Sequence, residues 1–258
     1  MLGAIIGDIV GSVYENTEMK STDFPLFSDD STFTDDTVET CAVAKWLLDD
    51  DDRTQTSLIE IMQLLCKRHR WRGYGRQFRR WIHNPIPYNS YGNGSAMRVS
   101  PCGIVAKSLE EAQHLAEISA SISHNHPEGI KGAVSVASAI YMNKNGETKD
   151  NIKKYIVEKF GYLIPSLDVV RNSYKFDVTC QGSVPHAFAA FFEGQTLEEV
   201  IRLSVSLGGD TDTIAAIASS IASVGDMKVE DCYVKECERR LSEDLLDIVR
   251  QFEYKYHV

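Results

Sequence analysis

Two short segments rich in threonine and aspartate carry the strongest chemical signal in this sequence. They read F-T-D-D-T at residues 33–37 and S-L-G-G-D-T-D-T at residues 206–213, and an apolar segment with helical spacing follows each. Capping of a helix, together with the preference for acids in its first turn, explains one acid of the first pair well and the other less well. The D-x-D pair, Asp210 and Asp212, is costly to bury unless a cation compensates it.

The arrangement that the two segments share predicts a metal site. If the two helix starts face each other, four carboxylates and two hydroxyls surround one point. Four close carboxylates would take up protons or unfold locally unless about +4 of charge balances them, and two divalent ions supply that charge. Oxygen ligands without cysteine or histidine suit Mg²⁺ or Mn²⁺ better than zinc. No D-x-D-x-D-G loop is present, so an EF-hand is excluded.

Other segments could complete a binding site around these acids. In the first predicted helix, residues 3–15, we expect Asp8 to cap a helix or pair with an arginine. Glu15, at its end, is free to enter a cleft. The glycine-rich loops at 72–75 and 89–95 lead into helical segments, a geometry that can cradle phosphate. His124 ends an apolar helix, where a histidine ordinarily interacts with the helix dipole.

The composition excludes several classes of protein. The chain has 258 residues, 37 Asp+Glu and 27 Lys+Arg, for a net charge of −10, which argues against a general nucleic-acid binder. Residues 66–80 are the opposite, with seven Lys or Arg and no acid, and we expect them to face a diphosphate. No apolar run reaches the ~18 residues of a membrane span. Six cysteines without a C-x-x-C pair indicate buried thiols in a reducing cytosol.

The elements that must position these residues are predicted to be helices. Apolar residues recur at helical spacing over 37–48, 57–66, 109–122, 129–142, 197–207 and 213–224. Strand signals are few, and residues 176–180 alternate weakly. We therefore predict an all-α fold, a single compact domain of ten or more helices over residues 1–258, with the metal site at its centre.

Taken together, the motifs resemble the ADP-ribosylglycohydrolase family, which includes the dinitrogenase reductase-activating glycohydrolases and the ADP-ribosyl-acceptor hydrolases. The resemblance spans residues 3 to about 225, in the family's order, and the two aspartate motifs make it specific. It departs at Ser219 and Ser223, where relatives often have glycine. The motifs are G-D-x-x-G-S-x-Y-E (7–15), F-T-D-D-T (33–37), R-G-Y-G (72–75), S-Y-G-N-G-S-A-M-R (90–98), S-H-x-H-P (123–127) and S-L-G-G-D-T-D-T (206–213).

The resemblance implies an all-helical fold with two Mg²⁺ ions, for which Mn²⁺ can substitute. Glu15 matches a flap glutamate implicated in catalysis, beside the catalytic ligands Asp35 and Asp36. His124 matches a histidine near the distal ribose, and Tyr91 would offer its ring to the adenine. The implied metal ligands are Thr34, Asp35, Asp36, Asp210, Asp212 and Thr213. The loops around ADP-ribose are matched by Gly73, Gly75, Ser90, Tyr91, Gly92 and Asn93.

The implied activity is hydrolysis of the N- or O-glycosidic bond at C1″ of an ADP-ribosyl group on a protein side chain or a small conjugate. Two alternatives stay open: a non-catalytic ADP-ribose-binding protein, and a Mg²⁺-dependent phosphohydrolase that cleaves the pyrophosphate. All six ligand positions are intact, which argues against the non-catalytic protein, whereas the phosphohydrolase is distinguished by its product, AMP instead of ADP-ribose. The residues do not select among arginine, serine and O-acetyl acceptors. We expect a cytoplasmic monomer that binds neither nucleic acid nor membrane.

Overall fold

The structure, a computed structural model, describes residues 1–256, and these residues form helices without a strand. The predicted all-α fold and the six helical segments are confirmed. The predicted domain, residues 1–258, ends in two residues that lie outside the described ones. The fifteen helices of residues 1–256 are α1 (Leu2–Gly11), α2 (Asp35–Asp49), α3 (Gln55–Arg68), α4 (Arg76–Trp81), α5 (Gly94–Met97), α6 (Ser100–Val105), α7 (Leu109–Ser121), α8 (Pro127–Lys144), α9 (Lys149–Phe160), α10 (Leu167–Val170), α11 (Cys180–Glu193), α12 (Leu197–Val205), α13 (Thr211–Ala222), α14 (Asp231–Arg240) and α15 (Glu243–Tyr256).

Helices α1 and α13 pack against each other at the centre of the fold, and every residue of α13 is buried. Small residues make this approach possible: a Cβ on Gly7 would lie 2.4 Å from the carbonyl oxygen of Ala215, and one on Gly11 would lie 2.5 Å from Asp212 Cα. Ser219, one of the departures from the family pattern, donates a 2.6 Å hydrogen bond to the Gly3 carbonyl. The serine therefore fits the close helix contact and fastens α13 to α1.

Asp8 on α1 fixes the start of α2. Its fully buried carboxylate accepts hydrogen bonds from Thr34 N (3.0 Å), Thr34 Oγ1 (2.7 Å), Thr37 N (3.1 Å) and the Thr37 hydroxyl. Burial raises the pKa of Asp8 to about 6, although these hydrogen bonds lower it. Of the two roles expected for Asp8, the structure therefore shows capping, at the start of the helix that begins with the paired aspartates.

The loop of residues 89–93 is held in place by the segment that the sequence showed as weakly alternating. That segment makes a single antiparallel bridge, between Gly92 and Thr179, rather than a strand. Asn93 N donates to the Val178 carbonyl (2.8 Å), and Cys180 N donates to the Tyr91 carbonyl (2.9 Å). These hydrogen bonds join the two loops into one wall.

Two predictions from composition can be compared with the described residues. None of the helices in residues 1–256 combines the length and apolarity needed to cross a membrane. All six cysteines are free thiols, and five of them are buried as expected. Cys232, in the first turn of α14, is exposed, so the expectation of burial is wrong for that residue.

Candidate metal-binding active site

One cavity of about 450 Å³ collects residues from both aspartate segments and from the glycine-rich loops. The ring of Tyr91 lies outside it. Every other site residue predicted from the sequence lines the cavity: Glu15, Thr34, Asp35, Asp36, Gly73, Gly75, Ser90, Gly92, Asn93, His124, Asp210, Asp212 and Thr213.

The first acidic wall is the N-terminus of α2. Thr34 is the N-cap, and its hydroxyl accepts a hydrogen bond from Asp36 N at 3.2 Å. Asp35 N donates to the Arg72 carbonyl at 2.6 Å, which joins this turn to the next glycine loop. Gly73 in that loop has φ +101°, and a Cβ there would lie 2.9 Å from Asp35 Oδ1. The R-G-Y-G motif therefore gives Asp35 room, a role the sequence analysis did not predict.

The second acidic wall is the N-terminus of α13. Gly208 and Gly209 both have positive φ, +67° and +77°, which residues with a side chain adopt only with strain. This turn delivers Asp210 and Asp212, each 5% exposed, to the cavity. Asn93 Nδ2 donates to Asp210 Oδ2 at 2.6 Å, so the loop 89–93 also orients an acid of this wall.

The two walls meet through a threonine. Thr213 Oγ1 donates a 3.3 Å hydrogen bond to Asp36 Oδ2. Glu15 lies in the turn that follows the end of α1 at Gly11, rather than in the helix as expected. One carboxylate oxygen from each of Glu15, Asp210 and Asp212 lies within 4.8 Å of the others. The predicted catalytic glutamate therefore stands where it could also contact a cation.

The acids of this cavity repel one another. Burial and neighbouring carboxylates raise the pKa values of Asp36 and Asp212 well above their usual range, and desolvation and Glu39 do the same for Asp35. Asp36 Oδ1 is buried and has no hydrogen-bond partner among the described residues. Crowded carboxylates with an unpartnered oxygen fit a hard divalent cation, which prefers an all-oxygen donor set.

The far end of the cavity is less acidic. His124 is 5% exposed, and its ring lines the wall beside the loop 89–93. Burial, and next the Arg98 guanidinium, lower the pKa of His124 well below its usual value. The half-exposed ring of Tyr91 contacts His126, with centroids 5.2 Å apart, rather than lining the cavity. Its contact with adenine stays a prediction.

Two apolar side chains that were not predicted from the sequence also line the cavity. Phe176 and Val178 are 53% and 49% exposed, although the segment around them is polar. In the sequence, residues 176–180 alternate weakly and resemble a short strand. Two exposed apolar residues in a loop that bridges to Gly92 could instead have suggested a surface for a flat ligand.

The basic segment 66–80 lies partly at the cavity and partly in contacts within the fold. Of its seven basic residues, Arg76 lines the cavity. Arg72 lies over the Phe33 ring at 3.5 Å and donates to Thr32 Oγ1 at 2.8 Å, while Arg68 pairs with Asp244 at 2.9 Å. Arg72 and Arg68 are therefore bonded within the fold, and the contact of this segment with a diphosphate stays a prediction.

A second cavity, of about 400 Å³, adjoins the first at Glu15 and Phe176. Its other walls come from the segments 16–20 and 174–175 and from Gly209. Lys20 Nζ ties these segments together, since it donates to the carbonyls of Tyr174 (3.0 Å) and Leu207. Glu15 therefore stands at the boundary between an acidic cavity and an open polar one.

Comparisons with known proteins agree with this geometry. A family model described as ADP-ribosylglycohydrolase matches residues 1–249. The chain is 32% identical over 177 residues to an uncharacterised protein of Archaeoglobus fulgidus, covering 57% of this chain and 53% of that protein. It is 25% identical over 327 residues to human ADP-ribosylhydrolase ARH3, covering 95% of this chain and 90% of the relative.

More distant matches extend the same picture. The chain is 25% identical over 162 residues to the ADP-ribosylarginine hydrolase Tri1 of Pseudomonas putida, covering 58% of this chain and 42% of Tri1. A solved structure titled ADP-ribosylglycohydrolase-related protein complex superposes with a TM-score of 0.73 at 22% identity. This superposition covers 100% of this chain and 97% of the other, and at that identity it supports the fold alone.

Proposed function

This chain belongs to the ADP-ribosylglycohydrolase family, and we propose that it is a binuclear Mg²⁺-dependent hydrolase of ADP-ribosyl groups. It cleaves the glycosidic bond at C1″ and releases ADP-ribose from a modified protein side chain or a small conjugate. The observation that carries the proposal is the meeting of two aspartate walls in one cavity whose other end is built from the loop 89–93 and His124.

The metal ions would be held by the two helix starts. Thr34, Asp35 and Asp36 would hold one side, and Asp210, Asp212 and Thr213 the other, with Mn²⁺ able to replace Mg²⁺. Bound divalent ions supply Lewis acidity and positive charge at the reacting sugar. Asp8 contributes indirectly, because its hydrogen bonds with Thr34 and Thr37 fix the turn that presents the first set.

Glu15 is the candidate for proton transfer. Its carboxylate lies at the boundary of the two cavities, where a bond between a sugar in one and an acceptor in the other would be cleaved. Carboxyl groups on either side of the scissile bond carry glycoside hydrolysis in general, and a positioned acid contributes about 10²–10⁴-fold. Glu15 would therefore give a proton from its Oε atoms to the leaving acceptor, and a proton of the attacking water would restore it.

The remaining residues bind and orient the substrate. Asn93 is fixed by Asp210 and Ser183, so the loop 89–93 is positioned relative to the metal ligands. Ser90, Gly92 and Gly75 would contact the ADP-ribose, and Phe176 offers an exposed apolar ring. The second cavity would receive the acceptor, and its walls, residues 16–20 and 174–175, would select among acceptors.

The proposal is tested by the products of defined substrates. Arginine-linked, serine-linked and O-acetyl-linked ADP-ribosyl conjugates are incubated with the protein in Mg²⁺ or in excess EDTA, and the products are separated. Release of ADP-ribose that requires Mg²⁺ is expected. Release of AMP would indicate a pyrophosphate hydrolase, and binding of ADP-ribose without turnover of any conjugate would indicate a non-catalytic binder. A cytoplasmic location and a monomeric state stay predictions.

A further inference from the structure

A fully buried arginine lies behind the far end of the cavity. Arg98 Nη1 donates to Glu39 Oε2 at 2.8 Å, and Nη2 donates to the Ser119 carbonyl at 2.6 Å. Nη2 also donates to Ser123 Oγ at 3.0 Å, and Ser123 Oγ lies 2.7 Å from His124 Nδ1. A continuous hydrogen-bonded chain therefore runs from Glu39 on α2 to the histidine in the cavity wall.

The direction of these hydrogen bonds can be assigned from the donors. A guanidinium carries hydrogen on every nitrogen and has no acceptor, so Ser123 Oγ must accept from Arg98. Among the described residues, the hydroxyl has one other contact, His124 Nδ1. Because a buried hydroxyl hydrogen needs an acceptor, Ser123 donates to Nδ1. Nδ1 then carries no hydrogen, and the single ring hydrogen of His124 is on Nε2.

The Nε2 edge of the ring faces the loop that lines the cavity. A Cβ on Gly94 would lie 3.1 Å from Nε2, and one on Gly92 would lie 3.5 Å from it. Within residues 1–256, Nε2 makes no hydrogen bond, whereas Nδ1 has its partner in Ser123. The lowered pKa of His124 agrees with a neutral ring. The hydrogen on Nε2 is thus available to a ligand in the cavity.

We propose that Arg98 and Ser123 are positioning residues that hold His124 as the neutral tautomer with its hydrogen on Nε2, so that His124 donates a hydrogen bond to an oxygen of the bound nucleotide. The tautomer follows from the contacts of this chain alone, and only the identity of the ligand rests on the proposed function. Arg98 also bonds to Glu39, which lies one helical turn after Asp35 on α2. Hydrogen bonds through Arg98 therefore connect the His124 end of the cavity with the helix that carries Asp35.

The tautomer is tested directly in the free protein. Long-range ¹H–¹⁵N spectra of the ¹⁵N-labelled chain distinguish ring nitrogens that carry hydrogen from those that do not, and a His124→Asn variant assigns the signal among the seven histidines. We expect His124 in the wild type to have hydrogen on Nε2 alone. In Ser123→Ala the ring loses the donor to Nδ1, and a mixture of tautomers is expected. This variant should fold, because Arg98 Nη2 keeps its bond to Ser119.

The consequence for the ligand is tested by calorimetry with ADP-ribose in Mg²⁺. Ser123→Ala should weaken binding about two- to tenfold, because only the fraction of rings with hydrogen on Nε2 can donate to the ligand. The matched control Ser121→Ala, two residues earlier on α7 and outside the hydrogen-bonded chain, should leave affinity unchanged. Turnover of saturating substrate should stay within about twofold in both, since the change affects binding rather than the reacting carbon.

A second pair of variants separates the two ring nitrogens. The amide nitrogen of glutamine reaches about as far as Nε2, whereas that of asparagine reaches only about as far as Nδ1. His124→Gln should therefore bind ADP-ribose more tightly than His124→Asn. Hydrogen on Nδ1 or on both nitrogens of the wild-type ring, or a Ser123→Ala variant with unchanged tautomer and affinity, would overturn the proposal. Failure of the wild type to bind ADP-ribose would instead contradict the proposed function, while the ring spectra would still decide the tautomer.

Discussion

The two ends of the cavity bury charged groups in opposite ways. At the acidic end, burial and neighbouring carboxylates raise the pKa values of Asp35, Asp36 and Asp212, and Asp36 Oδ1 has no hydrogen-bond partner among the described residues. At the other end, the charge of Glu39 is compensated by Arg98, which is itself bonded to two further oxygens. One end therefore lacks a counter-charge without a cation and is incomplete, whereas at the other end the two charges are paired and the ion pair is complete as folded.

This difference separates function from stability. Removal of an acid from the incomplete end relieves repulsion in the metal-free protein, yet it removes a proposed metal ligand. Removal of a partner from the complete end leaves an uncompensated charge in a buried place, which is strongly destabilising. The two ends should therefore respond to substitution in opposite directions.

The largest effect is expected for Asp36→Asn. ADP-ribose release should fall by roughly 10³-fold or more, because Asp36 is a proposed carboxylate ligand of the cation. The metal-free variant should be at least as stable as the metal-free wild type, since the unpartnered, repelled charge is gone. Product release and urea unfolding in EDTA measure the two effects.

The control for this prediction is Asp52→Asn, which removes an exposed acid at the surface. That variant should retain both activity and stability. Full Mg²⁺-dependent release by Asp36→Asn would remove Asp36 from the ligand set, and a clear loss of stability in EDTA would contradict the view that this end is strained without a cation.

The second-largest effect is expected for Arg98→Met, as a loss of stability. The variant leaves the fully buried Glu39 without its partner, which costs about 3–5 kcal/mol of unfolding free energy. The double variant Arg98→Met/Glu39→Met should recover much of this loss, because it removes both charges at similar volume. Urea unfolding of the two variants gives the comparison. If the double variant were no more stable than the single one, the loss would come from packing rather than from the unpaired carboxylate.

The residues of the acidic end could be predicted from the sequence more completely than those of the other end. The signals there are local: Thr34 caps the helix that carries Asp35 and Asp36, and the glycines before Asp210 permit the positive φ that its turn requires. The helical segments were also predictable, because apolar spacing is read within one element. Such patterns indicate which residues lie together at one helix N-terminus. The family resemblance then implied that the two N-termini form one metal site.

The other end depends on contacts that are distant in sequence. Arg98 and Glu39 are 59 positions apart, and no periodicity relates them. Seven basic residues between 66 and 80 suggested a diphosphate face, but sequence spacing does not reveal that Arg72 and Arg68 are bonded within the fold. The exposure of the Phe176 ring could not be predicted either, because it depends on how the loops pack in the folded protein.

A smaller effect is expected for Gly73→Ala, which alters the acidic end without removing a ligand. The residue has φ +101°, and the new Cβ would meet Asp35 Oδ1 at 2.9 Å. Gly146→Ala is a matched control, since Gly146 has φ +82° and open space around it. Both should lose about 1–2 kcal/mol from backbone strain. Gly73→Ala alone should also weaken Mg²⁺ binding, measured by calorimetry, and equal Mg²⁺ affinities would show that Asp35 is not a ligand.

The smallest effect is expected at Asp244, a carboxylate remote from the cavity whose pKa is shifted in the opposite direction to that of Asp36. Partial burial raises the pKa of Asp244, but the nearby Ser242 hydroxyl and the hydrogen bonds with Arg68 and His69 outweigh it and leave the pKa below its usual range. A lowered pKa in the folded state stabilises the protein above the unfolded value of about 3.9, and this contribution disappears as the pH falls below it. Asp244→Asn should therefore cost about 1 kcal/mol at pH 7 and progressively less toward pH 3.

Asp36→Asn in EDTA should show the opposite trend over the same pH series. Burial and neighbouring acids raise the pKa of Asp36, so its charged form opposes folding at pH 7, and this penalty vanishes as the carboxylate is protonated at lower pH. The same chemical change then destabilises at Asp244 and does not destabilise at Asp36, because one carboxylate already has its partners and the other lacks a cation. Urea unfolding between pH 7 and pH 3 measures both, and two parallel curves would mean that the acids of the cavity are compensated without metal.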